Sequence, residues 1–349
     1  MHHSELGKGV RADMAEQPDI VARLFARRLE IADEIAAKEL LPARGIMLVA
    51  RGSSDNAAIY ARYLLELATM APVALAAPSL YTRYQSATRM EGWLVVAISQ
   101  SGATPEIVTT VETLCSHGAR AIAITNDNVS PLAEHADLTI TLECGLERAI
   151  PATKTFTASL AAICMIGRAA APEGWSDLDE RHVVDSIGAV LADFGPIETF
   201  VDELLRAETI SHLGRGFSFP IALEGALKHR EMTGRVAEGI SASEYLHGPI
   251  AAASSRTCVV AYADGGKTAS DVRVTASAAK DRGAHLLFIS DDSERARGEQ
   301  VLSVPPQSVE ALAPFPFAVR AQQLALACAL RIGVDPDQPI GLHKITLTQ

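Results

Sequence analysis

Basic residues are the scarce component of this chain: 31 Lys and Arg stand against 42 Asp and Glu, a net charge of −11. A surface of that sign argues against nucleic acid or an anionic membrane as partner. It does not exclude an anionic substrate, because local donors decide that and the total does not. Long uncharged apolar runs are missing, so no segment predicts a membrane span. The N-terminal Met-His-His-Ser-Glu-Leu-Gly-Lys has no apolar signal region. The five cysteines, Cys115, Cys144, Cys164, Cys258 and Cys328, are an odd number with no C-x-x-C spacing. They fall inside apolar or helical runs. This predicts buried thiols in a reducing, cytoplasmic setting and argues against a zinc site.

What is present is a well-cored chain of 349 residues, 48% hydrophobic and 21% charged, long enough for two domains. Leu94 to Ile98 is a short β-branched run that reads as a buried parallel strand. Ser99-Gln100-Ser101-Gly102 breaks it with small polar residues. Thr104-Pro105-Glu106 then opens a helix, with proline in the first turn and an acid at the positive end of the dipole. A strand, polar loop and helix start in that order aim free N–H groups at one point, a cradle for phosphate. Read alone, the pattern equally describes an ordinary βα turn with a Ser/Thr cap.

The surrounding chain repeats the theme. Residues 10–40 read as helix, and Gly45 to Ala50 as a strand followed by the polar loop Arg51-Gly-Ser53-Ser54-Asp-Asn56 and a helix. Val73–Ala77, Ala119–Thr125 and Leu138–Leu142 read as further strands, Pro78–Tyr81 as a loop and 158–169 as a long apolar helix. Alternation of this kind predicts an α/β, doubly wound parallel sheet, with ligands outside the carboxyl ends of the strands. Residues 170–195 read as a linker. Beyond it Ile210–Phe217, Val259–Thr268 and Ala284–Asp292 echo Ile46–Ser53, Val95–Thr104 and Ala119–Asp127 at one long offset, the mark of a duplicated domain. In the second copy Ser99-Gln100-Ser101 becomes Ala263-Asp264-Gly265. Asp264 would repel phosphate, so phosphate binding is assigned to the first copy.

A second polar set lies in the later copy. Lys228 and Glu231 are three apart on a helical run and share one face, which also describes a surface ion pair. His247 precedes Gly248-Pro249, as a positioned loop residue or a helix C-cap. Lys344 lies near the end of the chain, where a solvated lysine is the ordinary occupant.

Taken in order, Gly52-Ser53-Ser54, Ser99-Gln-Ser-Gly-x-Thr104, Ala152-Thr-Lys-x-Phe156, Leu213-Gly-Arg-Gly216, Ala222-Leu-Glu-Gly-Ala-Leu-Lys228, Glu244-x-x-His-Gly-Pro249 and Asp337-Gln-Pro339 before Lys344 resemble the sugar isomerase (SIS) family in its tandem form. The resemblance implies two duplicated doubly wound, flavodoxin-like parallel-sheet domains. These would be an N-terminal helical segment 1–30, a first domain 31–180, a second 195–340 and a tail 341–349. Within the family the chain looks like the isomerase half of glucosamine-6-phosphate synthase. Arg51-Gly-Ser-Ser-Asp55 with Ala77-Pro-Ser79 is more similar to stand-alone SIS-type glucosamine-6-phosphate deaminases, and no glutaminase domain is expected.

The implied reaction converts glucosamine 6-phosphate and water to fructose 6-phosphate and ammonia. The implied catalytic set is Glu231 for proton transfer between C2 and C1, Lys228 for charge on oxygen, His247 for ring opening, and Lys344 for a Schiff base. Ser53, Ser54, Ser99, Gln100, Ser101 and Thr104 would hold the phosphate, and Ile150 and Ala152 would touch the sugar. No metal or organic cofactor is implied. The implied partner is a second copy of the chain, in a homodimer sharing its active sites. Two other readings stay open: a relative acting on galactosamine 6-phosphate or fructosamine phosphate, and a non-catalytic phosphosugar sensor.

Overall fold

The computed structural model describes residues 6–292 and 300–342. The chain divides into two compact units that interleave along the sequence. One holds residues 19–146 and 154–176; the other holds 6–18, 147–153 and 177–342.

The first unit is built on a parallel sheet of β1 (Gly45–Val49), β2 (Val73–Leu75), β3 (Trp93–Ile98), β4 (Arg120–Thr125) and β5 (Leu138–Thr141), in the order β2-β1-β3-β4-β5. The second unit carries β6 (Thr209–Gly214), β7 (Ala237–Ser241), β8 (Thr257–Ala263), β9 (His285–Ser290) and β10 (Gln300–Ser303). Its order, β7-β6-β8-β9-β10 read from the other edge, is the same topology. The two duplicated α/β domains expected from the sequence are therefore present. In each, the chain leaves the first strand toward one edge and returns to lay the third strand on its other side. The crossovers diverge between β1 and β3, and between β6 and β8, leaving a crevice at the carboxyl ends of each pair.

The apolar runs explain the sheets. Leu94 to Ser99 is buried throughout, and all seven residues of β8 are buried, as expected of strands covered by helices on both faces. In the first unit the helix Ser53–Thr69 packs on Lys154–Ala170, whose first fourteen residues are all buried. In the second, Phe219–Thr233 packs on Pro314–Arg331.

Three sequence readings need correction, and the strand β7 was missed. Residues 170–195 are not a linker: Asp177–Ala192 is a helix of the second unit, and Val183, Ile187 and Val190 are its buried stripe. The long N-terminal helix is three, Lys8–Ala15, Gln17–Ala26 and Arg28–Ala37, broken at Glu16 and Arg27. Pro78–Tyr81 leads into a helical turn, Ser79–Thr82. The strand β7 lay in a stretch where Gly239 and flanking polar residues hid a period of two.

Two histidines are sealed inside the second unit. His212 of β6 shares a 2.8 Å hydrogen bond with the Tyr262 hydroxyl, and its ring lies 6.1 Å from that of His229. Burial lowers both, with the charge of Arg235 adding to it at His229, which falls to about 4; His212 falls well below its ordinary value. Unfolding releases each to an ordinary value near 6.5, so the unfolded chain binds more protons as the pH falls. The stabilisation is complete above pH 6.5 and is lost as pH drops toward 4, about 3 kcal/mol from His229 alone. Urea unfolding between pH 7 and 4 is expected to show this slope, and to show a shallower one in His229→Leu.

Candidate functional site

At the β1/β3 crevice the two polar loops meet because their strands are neighbours in register, Val49 opposite Ala97. Ser53 and Ser54 open the helix Ser53–Thr69 behind Gly52, whose φ of 63° and ψ of −134° suit glycine alone; nothing lies within 4 Å of where a Cβ would sit. Thr104 caps the helix Pro105–Ser116. Between them Ser99 N–H donates to Ile124 O at 3.0 Å and Gly102 N–H to Ser99 O at 3.1 Å, which curls the loop back on β4.

Among the described residues the N–H groups of Ser53, Ser54, Gln100 and Ser101 have no acceptor. The side chains of Ser53, Ser54, Ser99, Gln100 and Thr104 have no hydrogen-bond partner there either. The Ser101 hydroxyl accepts from Ala103 N–H at 3.3 Å. The structure thus brings the six expected phosphate residues to one crevice. An unpaired row of donors at two helix N-termini is what a dianion needs.

Two features of this crevice escaped the sequence. Arg51 spans it, its Nε donating to Glu106 Oε2 at 3.0 Å, so an arginine does tie the two loops together. The second copy repeats the tie: Arg215 pairs with Asp271 at 3.0 Å across β6 and β8. Gly102 is required by both shape and space. Its φ is 61°, and a Cβ there would run into the Ser130 hydroxyl. Gly102→Ala is expected to cost about 2–4 kcal/mol from αL strain and overpacking, and to weaken phosphate binding. Denaturant unfolding and phosphate titration measure the two effects.

The second set lies on the helix Phe219–Thr233. Lys228 is no surface residue: its side chain is 0% exposed. Its ammonium pairs with Glu231 one turn on and lies 3.4 Å from Glu224 one turn back. Glu224 is equally buried, while Glu231 is 22% exposed and forms the open end of the row. Burial pulls the lysine pKa down. Glu224, Glu231 and Glu147 together more than offset that, leaving it above the ordinary lysine value, so Lys228 stays a cation. Such a fixed cation stabilises negative charge developing beside it, and a carboxylate at its open end is placed to move a proton. Glu224 went unweighted in the sequence, although it stands inside the Ala222–Lys228 motif, four residues before Lys228.

Ile150 and Ala152 are half-buried on the strap 147–153, whose Glu147 bears on Lys228. The strap is held from far along the chain. The carboxylate of Asp13, fully buried in the helix Lys8–Ala15, accepts from Arg148 N–H at 2.7 Å, Ala149 N–H at 3.0 Å and the Arg148 guanidinium at 2.7 Å. Ile150 N–H donates to Asp337 O at 3.1 Å. The Asp337 carboxylate accepts from Gly9 and Val10 N–H at 2.7 and 2.8 Å, capping the same helix. No local pattern announces partners so distant in sequence. His247 sits exposed at the end of the short helix Ala242–Leu246, its N–H bonded to Glu244 O at 3.0 Å. Lys344 lies outside the described residues.

The SIS domain model matches the chain twice, over residues 39–167 and 203–326, and the chain belongs to that family. It is 33% identical over 343 residues to the isomerizing glutamine–fructose-6-phosphate aminotransferase of Thermococcus kodakarensis, a match covering 95% of this chain and 56% of that protein. The chain therefore spans a little over half the length of the curated relatives it matches. Among solved structures it is similar to the C-terminal domain of glucosamine-fructose-6-phosphate aminotransferase from Francisella tularensis, with 27% identity, TM-score 0.81, and coverage of 94% of this chain and 97% of that one. It also shares its fold with a glucosamine-6-phosphate deaminase from Thermotoga maritima, at 23% identity and TM-score 0.73, over 94% of this chain and 100% of that one.

Proposed function

We propose that the protein is an aminosugar-phosphate deaminase of the isomerising kind, converting glucosamine 6-phosphate and water to fructose 6-phosphate and ammonia. The observation that carries the reading is the buried Glu224–Lys228–Glu231 row: a permanent cation flanked by two carboxylates, one of which reaches solvent. The unpaired donors of the β1/β3 crevice support a phosphorylated substrate, held by Ser53, Ser54, Ser99, Gln100, Ser101 and Thr104. The relatives named for fructose-6-phosphate and glucosamine-6-phosphate chemistry support the sugar. Release of ammonia, in preference to its incorporation, rests on the loops Arg51–Asp55 and Ala77–Ser79, which resemble those of stand-alone deaminases.

In this scheme His247 opens the sugar ring. Glu231 takes the proton from C2 and returns it to C1, through an enolamine. This leaves an imine at C2, which water hydrolyses to the ketone and ammonia. Lys228 stabilises the oxygen that gains charge on the way. Lys344 is assigned the alternative route to the ketone: its amine attacks the C2 imine and displaces ammonia, and water then hydrolyses the resulting Schiff base to the ketose and free lysine. Ile150 and Ala152 line the sugar. The exposure of His247 on its own chain favours a histidine that serves the active site of a second copy, in a homodimer. Incubation with glucosamine 6-phosphate should release ammonia and fructose 6-phosphate in equal amounts. If glucosamine, galactosamine and fructosamine phosphates are all inert, the enzymatic reading fails. Thermal stabilisation by them without turnover then marks a phosphosugar sensor.

A further inference from the structure

The second copy of the fold carries an acidic set at the carboxyl ends of its strands, on the β9 side of its β6/β8 crevice. A cavity of about 620 Å³ opens there, where β8, β9 and β10 end; Asp264, Asp291, Asp292 and Glu310 line it, with Lys267 the one lining cation among the described residues. This volume suits a small molecule. We propose that this cavity binds a small organic ammonium compound, an amine of the size of a diamine, polyamine or unphosphorylated amino sugar.

The argument rests on Asp264, which occupies the position that Gln100 takes in the first copy. Its side chain is 2% exposed and lines the cavity. One oxygen accepts from Gly266 N–H at 3.1 Å; the other, Oδ2, is buried with no partner. A buried carboxylate oxygen left in that state is costly unless something donates to it. Asp291 repeats the pattern, one oxygen accepting from Gly265 N–H at 3.1 Å and the other buried without a partner. The glycines make room for the acids: a Cβ on Gly266 would collide with the carboxylate of Glu310. Arg273 bears on both aspartates through its charge, yet its Nε and Nη2 are buried without a hydrogen-bond partner. Burial above all, with Glu310 and Asp291 adding to it against the Gly266 N–H and Arg273, pushes Asp264 up to about 7. A cationic donor would relieve that repulsion and fill the missing hydrogen bonds together.

An organic cation fits better than a metal ion. Among the described residues no three carboxylate, imidazole or thiol groups stand close enough to ligate one. Phosphate is disfavoured by the same four acids, so this cavity differs in chemistry from the phosphate crevice. The inference also stands independently of the deaminase reading.

The test titrates putrescine, spermidine and glucosamine separately into the full chain by calorimetry, against Asp264→Asn and Glu310→Gln. Saturable binding of at least one amine, weakened about tenfold or more in either variant, is the expected result. Glu310 is half-buried, so its variant serves even if Asp264→Asn folds poorly. The proposal is overturned by no saturable binding of any of the three, or by an affinity in both variants equal to that of the parent protein. Magnesium chloride displacing the bound amine at lower concentration also overturns it.

Discussion

Lys228→Met is expected to destabilise the protein by about 3–5 kcal/mol at neutral pH, because it strips the counter-ion from a carboxylate that has no route to water. Glu224 is 0% exposed, and the Lys228 ammonium lies 3.4 Å away. Methionine fills the space but leaves the charge. Denaturant unfolding measures the loss. Its origin is separable, because adding Glu224→Gln to Lys228→Met removes the stranded charge and should recover much of the stability. A double variant no more stable than Lys228→Met would mean that the pair contributes by packing, with charge secondary.

Glu231→Gln is expected to leave the fold intact and remove the reaction. Its amide oxygen can still accept from Lys228, and the side chain already meets solvent, so stability should change little. An amide cannot shuttle a proton between C2 and C1, so kcat should fall by about 10²–10⁴. KM should hold if the proposed phosphate crevice supplies binding that is equal in substrate and transition state. A variant within a few-fold of the parent kcat would move the proton-transfer role away from Glu231.

How far the residues alone disclosed this site depended on the range of the interaction. Ser53, Ser54 and the 99–104 loop were legible because a strand, a break in hydrophobicity and a helix cap follow one another within a few residues. Lys228 and Glu231 were legible as a pair on one helical face, but their burial was not. Spacing gives direction around a helix and says nothing of what covers it. The Asp177–Ala192 helix was misread because Pro172, Gly174 and dense charge mask a stripe of only three apolar positions. Asp13 was out of reach altogether. Its partners Arg148 and Ala149 lie 135 and 136 residues away, and a lone acid in a polar helix looks like any solvated one.

The reach of Asp13 and Asp337 bears on how the chain is made. The unit they close contains residues from near the start of the chain and from near its end, with most of another unit between. A ribosome adding about 5–20 residues per second releases the helix Lys8–Ala15 on the order of tens of seconds before Asp337 exists to cap it. The Asp13 carboxylate is left to water or a chaperone until Arg148 and Ala149 emerge, and the Gly9 and Val10 N–H groups until Asp337 does. The first unit, by contrast, has its whole sheet once residue 141 has emerged. Synthesis therefore delivers the sheet that carries the 53–54 and 99–104 loops early, and completes the unit that holds Lys228 and Glu231 last.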